Sequence, residues 1–257
     1  REPVSAALVA LWLATFLPPW LPALDTSRWP AAWARLMSSP WPAWHAVALD
    51  ALGWIVVGAA LRALTRPQYV YPLLAFFAAA ALVVQFTLFV GFATWTEPVG
   101  AALALLAWPL FARLGDRTLL PVLFVLLVAA LGWRALEPFE FVAQPTAMNL
   151  VPFADLISRG STGFNLPLFF GKAFWYGALV WVLARRGVGA LPAGFTIAAL
   201  LLAIEVAQMW TPANYHVPSV TDPLVAIAAG IVMAIFTVAT GESAGTGPAG
   251  AKRRRVG

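Results

Sequence analysis

Apolar runs recur along the chain, each near the ~20 residues a helix needs to cross a ~30 Å hydrocarbon core. They lie near residues 4–24, 43–63, 70–92, 98–114, 118–136, 166–184, 193–212 and 222–240, separated by polar or Pro-containing connections. None shows the ~10-residue alternation of a transmembrane β-strand. The pattern predicts an all-α polytopic membrane protein of about eight transmembrane helices. The first run lacks a small-residue cleavage site, because Leu17-Pro18-Pro19-Trp20 follows its apolar core. It reads as a retained span rather than a signal peptide. Trp20, Trp29, Trp33, Trp41 and Trp44 surround the first external connection and read as part of an aromatic belt.

Composition narrows the class. Of 257 residues, 61% are hydrophobic and 11% charged, with a mean hydropathy of +0.82. Soluble domains run nearer 45–50% apolar and about 25% charged. Disorder, a disulfide-stapled secreted domain (Cys is 0) and a cytosolic enzyme of ordinary design are thereby excluded. The net charge of +5 reports topology. Arg1, Arg62, Arg66, Arg113, Arg117, Arg185, Arg186, Lys252, Arg253, Arg254 and Arg255 fall at one set of ends. The opposite connections hold Arg28, Arg35, Arg134 and Arg159, while Lys172 falls inside a span. This asymmetry places both termini in the cytoplasm and the longer connections at 25–42, 93–97, 137–165 and 213–221 outside. Polar chemistry is therefore expected at the extracytoplasmic face.

The spans divide into two sets of four in the same orientation, a parallel repeat. Thr96-Glu97-Pro98-Val99 opens the fourth span as Thr221-Asp222-Pro223-Leu224 opens the eighth. Trp54-x3-Gly58-Ala59 is matched by Ala173-x3-Gly177-Ala178. The expected organisation is a degenerate four-helix repeat over 1–115, a second over 116–240, and a disordered basic cytoplasmic tail over 241–257.

Glu205 and Gln208, three apart near the outer end of the seventh span, share a helix face. An ionisable group at that depth costs a few kcal/mol and faces the bundle interior. Glu205 is either a proton acceptor or head-group ligand, or the pair is interhelical glue. His216 and Asp222 flank a loop that reaches the eighth span. His216 next to two carboxylates is a candidate general base, or else an exposed loop imidazole. Asp222 before Pro223 reads first as a helix N-cap. Asn149 and Asp155 belong to an apolar, Pro-containing stretch that dips back toward the outer leaflet or lies on it. Such backbone is tolerated at depth only against protein or a wet cavity. Lys172, one to two turns into the sixth span, snorkels, pairs with Glu205 or Asp155, or binds an anionic head group. Asp50 is buried in the second span, with Gln85 and Glu97 the corresponding polar points of the first half.

Two His, no Cys and no ligand spacing argue against a metal site. No phosphate loop, nucleophile elbow or haem motif occurs, and no cofactor is expected. The four-residue basic run gives no basis for nucleic-acid binding.

Over about 137–240 the chain resembles the VanZ-like family of bacterial membrane proteins. The resemblance rests on Asn149-Leu150-Val151-Pro152-Phe153, on Asn165 before the sixth span, and on Glu205-x-x-Gln208 followed by a Pro-containing loop and Asp222. Asn214 stands where relatives usually carry Arg, and Ala226 where they carry Asn. The resemblance implies a cell-envelope role in the bacterial cytoplasmic membrane. The leading expectation is a polar pocket open to the outer leaflet, lined by Glu205, Gln208, Asn149, Asp155, His216 and Asp222, with Asn165 and Lys172 as further ligands. It would hold an amphiphilic or lipid-linked head group, such as an envelope precursor, among the membrane lipids. An enzyme acting on that lipid, with Glu205, His216 or Asp222 catalytic, is a second reading. A non-catalytic subunit of a larger membrane complex is a third, compatible with thirteen Trp and many lipid-facing aromatics.

Overall fold

The computed structural model describes residues 2–16, 30, 33–34, 37, 44–88, 94–137, 139–153, 162–212 and 217–239. Each apolar run contains one continuous helix. These are α1 (Pro3–Thr15), α2 (Trp44–Leu64), α3 (Pro67–Leu88), α4 (Thr96–Arg113), α5 (Asp116–Leu136), α6 (Thr162–Arg185), α7 (Ala190–Gln208) and α8 (Thr221–Ala239). Five of them, α2, α3, α5, α7 and α8, are long and apolar enough to cross a membrane. Their length and composition mark a membrane protein. The described part of the first run is the 13-residue α1, and its expected extension to residue 24 lies outside the described residues.

The two central helices are α2 and α6. A helix apolar all round is buried by its neighbours rather than lying on a surface. Residues 51–61 of α2 and 174–182 of α6 are buried almost without interruption. The neighbours of α2 are α1, α3, α4 and α5, and those of α6 are α5, α1, α7 and α8. Every packed pair within the first four helices has its counterpart among the last four, and α1 on α6 corresponds to α5 on α2.

Aromatic rings fill the junction of α1, α2 and α6. Trp12 stacks edge-on against Phe16, Trp54 and Trp175, with ring centroids 5.3, 5.9 and 5.7 Å apart. Edge-to-face pairs at these separations add ~0.5–1.5 kcal/mol beyond area burial. Gly53 is required here, because any Cβ would collide with the Trp12 ring. Other tryptophans than those of the expected belt go inside the bundle. Trp12, Trp54, Trp108, Trp175 and Trp181 are buried. Of the expected belt, Trp33 and Trp44 are exposed, and Trp20, Trp29 and Trp41 lie outside the described residues. Two α2 glycines make room for such rings, Gly53 for Trp12 and Gly58 for Trp108.

The two ends of the bundle differ in chemistry. At one end Arg185 binds Glu2 and, at 3.1 Å, Asp116, while Arg62 meets Asp116 at 3.3 Å and the Leu114 carbonyl at 2.7 Å. The same end carries Arg186, which donates to the Arg117 carbonyl. At the other end, residues 139–153 form a non-helical strap over the α7–α8 connection. The Val142 and Thr146 amides donate to the Trp210 and Met209 carbonyls at 2.8 and 2.7 Å. Asn149 and Ser219 form an isolated parallel bridge, with Asn149 N–H to the Pro218 carbonyl at 2.7 Å. The Val142, Thr146 and Asn149 amides of the strap are thus satisfied by protein, as non-helical chain next to an apolar phase requires.

Candidate functional site

The α7–α8 pair sets the site. Gly194 and Gly230 bring the two backbones into direct contact, and a Cβ on Gly230 would lie 2.9 Å from the Gly194 Cα. Small residues at a crossing let helices approach this closely. The close crossing carries the last turn of α7 alongside the first turn of α8, so Glu205 and Asp222 face each other across the connection.

Glu205 is buried, 6% exposed, and its Oε2 accepts the Ser219 backbone N–H at 2.8 Å. Asp222 does not cap its own helix. Its carboxylate reaches across to α6, where Oδ1 meets the Lys172 Nζ at 2.5 Å and Oδ2 accepts the Tyr176 hydroxyl. Lys172 and Tyr176 are four apart on α6 and so present side by side. The N-cap expectation for Asp222 fails because α8 already begins at Thr221, and the half-buried Lys172 ammonium and the Tyr176 phenol take the carboxylate. Capping work passes to Ser219, whose Oγ accepts the Thr221 N–H at 3.0 Å. The Thr221 Oγ1 then accepts the Phe153 N–H at 2.9 Å and ties the strap to α8.

Electrostatically the cluster is one unit. Glu205 lies within the field of both Asp222 and Lys172, and Tyr176 within that of Asp222, Glu205 and Arg134. Two carboxyls, an ammonium and a phenol converge from α6, α7 and α8 at the end opposite the Arg185 network.

Other expected site residues go elsewhere. Gln208 is buried, but its Nε2 donates to the Ala135 carbonyl at 2.9 Å, which ties α7 to the C-terminal turn of α5. Its contact is the interhelical glue reading. Asn149 uses its Oδ1 on the Val151 N–H at 3.0 Å and its backbone on the strap bridge. Lys172 pairs with Asp222 rather than with Glu205. Asn165 lies in the first turns of α6, its side chain outside the described residues. Asp155 and His216 also lie outside them. Asp50 belongs to a separate place in the bundle, against Gly100 of α4. Among the described residues, no group of three or more His, Cys, Asp and Glu is placed to hold a metal ion.

Sequence reasoning missed Tyr176, Ser219 and Thr221. Tyr176 left a signal, since it is one of only four Tyr and stands four residues after Lys172 in an apolar span.

An apolar groove of about 200 Å³ runs beside the cluster, lined by Leu8, Leu11, Phe169, Gly177, Val225 and Met233 among others. Phe169 is three residues before Lys172 and Val225 three after Asp222, so the groove begins within one turn of both polar anchors. None of the four cluster residues lines the groove itself, which neighbours them along α6 and α8. No family model, no curated protein and no solved structure matches the chain.

Proposed function

We propose that this chain is a VanZ-like cell-envelope protein of the bacterial cytoplasmic membrane, binding an amphiphilic or lipid-linked head group at its outer leaflet. Its eight helices act as two parallel four-helix repeats with cytoplasmic termini, and the second repeat carries the site. The observation that carries this reading is the Lys172–Tyr176–Asp222–Glu205 cluster, with Phe169 and Val225 of the apolar groove within one turn of it on α6 and α8. The head group exchanges hydrogen bonds with the cluster while an acyl or prenyl chain lies in the groove. The repeat is supported by the matched helix pairs. The orientation is supported by the Arg-rich opposite end.

The test is thermal stability of the purified chain titrated with phosphatidylethanolamine and, separately, with a polyprenyl phosphate sugar. A site-bound lipid stabilises by ~2.7 kcal/mol at a hundred times its Kd. Saturable stabilisation that disappears in Lys172→Met supports the reading, and equal responses of parent and variant contradict it.

Two carboxyls beside an ammonium and a phenol are also groups able to do general acid–base work. The catalytic version of the reading requires that Glu205→Gln abolish turnover while leaving lipid binding largely intact. Loss of both together contradicts it.

A further inference from the structure

The first half carries a second polar cluster that the head-group reading does not use. Asp50 on α2 sits against Gly100 of α4, and Glu97 lies one turn earlier on the same face of α4. The charge of Glu97 reaches Asp50. Gln85, near the end of α3, donates its Nε2 to Glu97 Oε1 at 3.4 Å. Three helices therefore aim oxygen-bearing side chains at one place, on the same end of the bundle as Lys172.

Two of these oxygens are buried without a partner. Gln85 is 8% exposed, and its Oε1 has no hydrogen-bond donor, nor has Asp50 Oδ2. An unpaired buried acceptor is expensive, and an unpaired buried carboxylate oxygen more so. The matching cluster in the second half contains its own cation, Lys172 on α6. Its counterpart helix α2 supplies no such group. The only basic residue of α2, Arg62, lies twelve positions from Asp50, about 18 Å along the helix, and is engaged with Asp116. His45 turns to Glu137 at 3.1 Å. On α3 and α4, the only basic residue is Arg113, at the opposite end.

We infer that Asp50, Gln85 and Glu97 form a binding site for a small monovalent metal cation of the sodium class. All the donors are hard oxygens, which suit such an ion. Two carboxylates and one amide oxygen are few ligands for a divalent ion, since calcium takes about six to eight oxygens and magnesium keeps several waters. Glu97 already accepts from Gln85 and from the Thr94 N–H at 3.2 Å and hydroxyl at 2.5 Å, which leaves Asp50 Oδ2 as the open carboxylate ligand.

The experiment is radioactive sodium binding to the full chain, purified in detergent, in choline chloride. Saturable binding of one sodium per chain is expected, weakened about tenfold or more in Asp50→Asn. Gly100→Ala serves if that variant does not fold. Its new methyl falls 2.7 Å from the Asp50 Cβ, which moves the carboxylate off the site, and it too loses binding. Absence of saturable sodium binding in the parent, or binding undiminished in both variants, overturns the inference. Displacement of sodium by micromolar calcium overturns the monovalent assignment.

Discussion

Lys172 of α6 and Asp222 of α8 meet at 2.5 Å, with side chains 24% and 13% exposed, fifty positions apart in sequence. This pair joins the central helix of the second half to the helix that begins at the α7–α8 connection. Removing one partner leaves the other charge half-buried and uncompensated. Lys172→Met is expected to destabilise by about 2–4 kcal/mol, below the range for fully buried pairs because some solvent remains. The double variant Lys172→Met/Asp222→Leu should recover part of that loss. Thermal unfolding of the three variants in one detergent checks both statements.

The Arg185 network at the opposite end should behave differently. Its side chains are roughly a third exposed or more, and exposed ion pairs contribute ~0–1 kcal/mol each. Arg185→Met should cost no more than about 1 kcal/mol per pair lost, and the cost should shrink as salt rises. A melting series from low to high NaCl measures it.

Glu205 holds the Ser219 amide, which Gln can also do and Ala cannot. Glu205→Gln should unfold within about 1 kcal/mol of the parent, whereas Glu205→Ala leaves a buried N–H unsatisfied at a cost of about 1–3 kcal/mol. Melting curves of the two variants separate the structural bond from the charge. A difference in lipid response between parent and Glu205→Gln then belongs to the charge alone.

At the α7–α8 crossing, Gly230→Ala places a methyl against the Gly194 backbone, which cannot yield without moving a helix. A loss of about 1–3 kcal/mol is expected from this overpacking. Gly132 on α5 has open space where a Cβ would go, so Gly132→Ala should be neutral or gain about 0.5–1 kcal/mol of helix propensity. Parallel melts of the two variants give opposite signs if the crossing is as close as described.

Because the chain has no Cys, single substitutions give a clean topology map. Leu150→Cys, on the exposed strap, should react with a membrane-impermeant maleimide in intact cells. Val188→Cys, exposed at the Arg-rich end, should react only after permeabilisation. The reverse pattern contradicts the proposed orientation.

Helix positions were readable because apolar run length is a local property, and each run does contain a helix. Which helices lie at the centre was not readable. α2 and α6 look no more apolar than α7, and only packing shows that the first two are enclosed on all sides. Glu205, Lys172 and Asp222 were visible as charges at places where charges are costly. Their pairing was not, because it depends on a Gly194–Gly230 contact between residues thirty-six positions apart. Gln208 shows the converse. Its spacing from Glu205 is that of a shared helix face, yet the nearby α5 carbonyl of Ala135 takes its amide.

The central claim is tested most directly by native mass spectrometry of the chain after gentle extraction from its membrane. The account predicts a co-purifying amphiphile at one per chain, retained on mild activation and lost in both Lys172→Met and Glu205→Ala. A chain free of bound lipid, accompanied instead by other membrane proteins at fixed stoichiometry, would contradict it and make the polar cluster an internal brace of a larger complex.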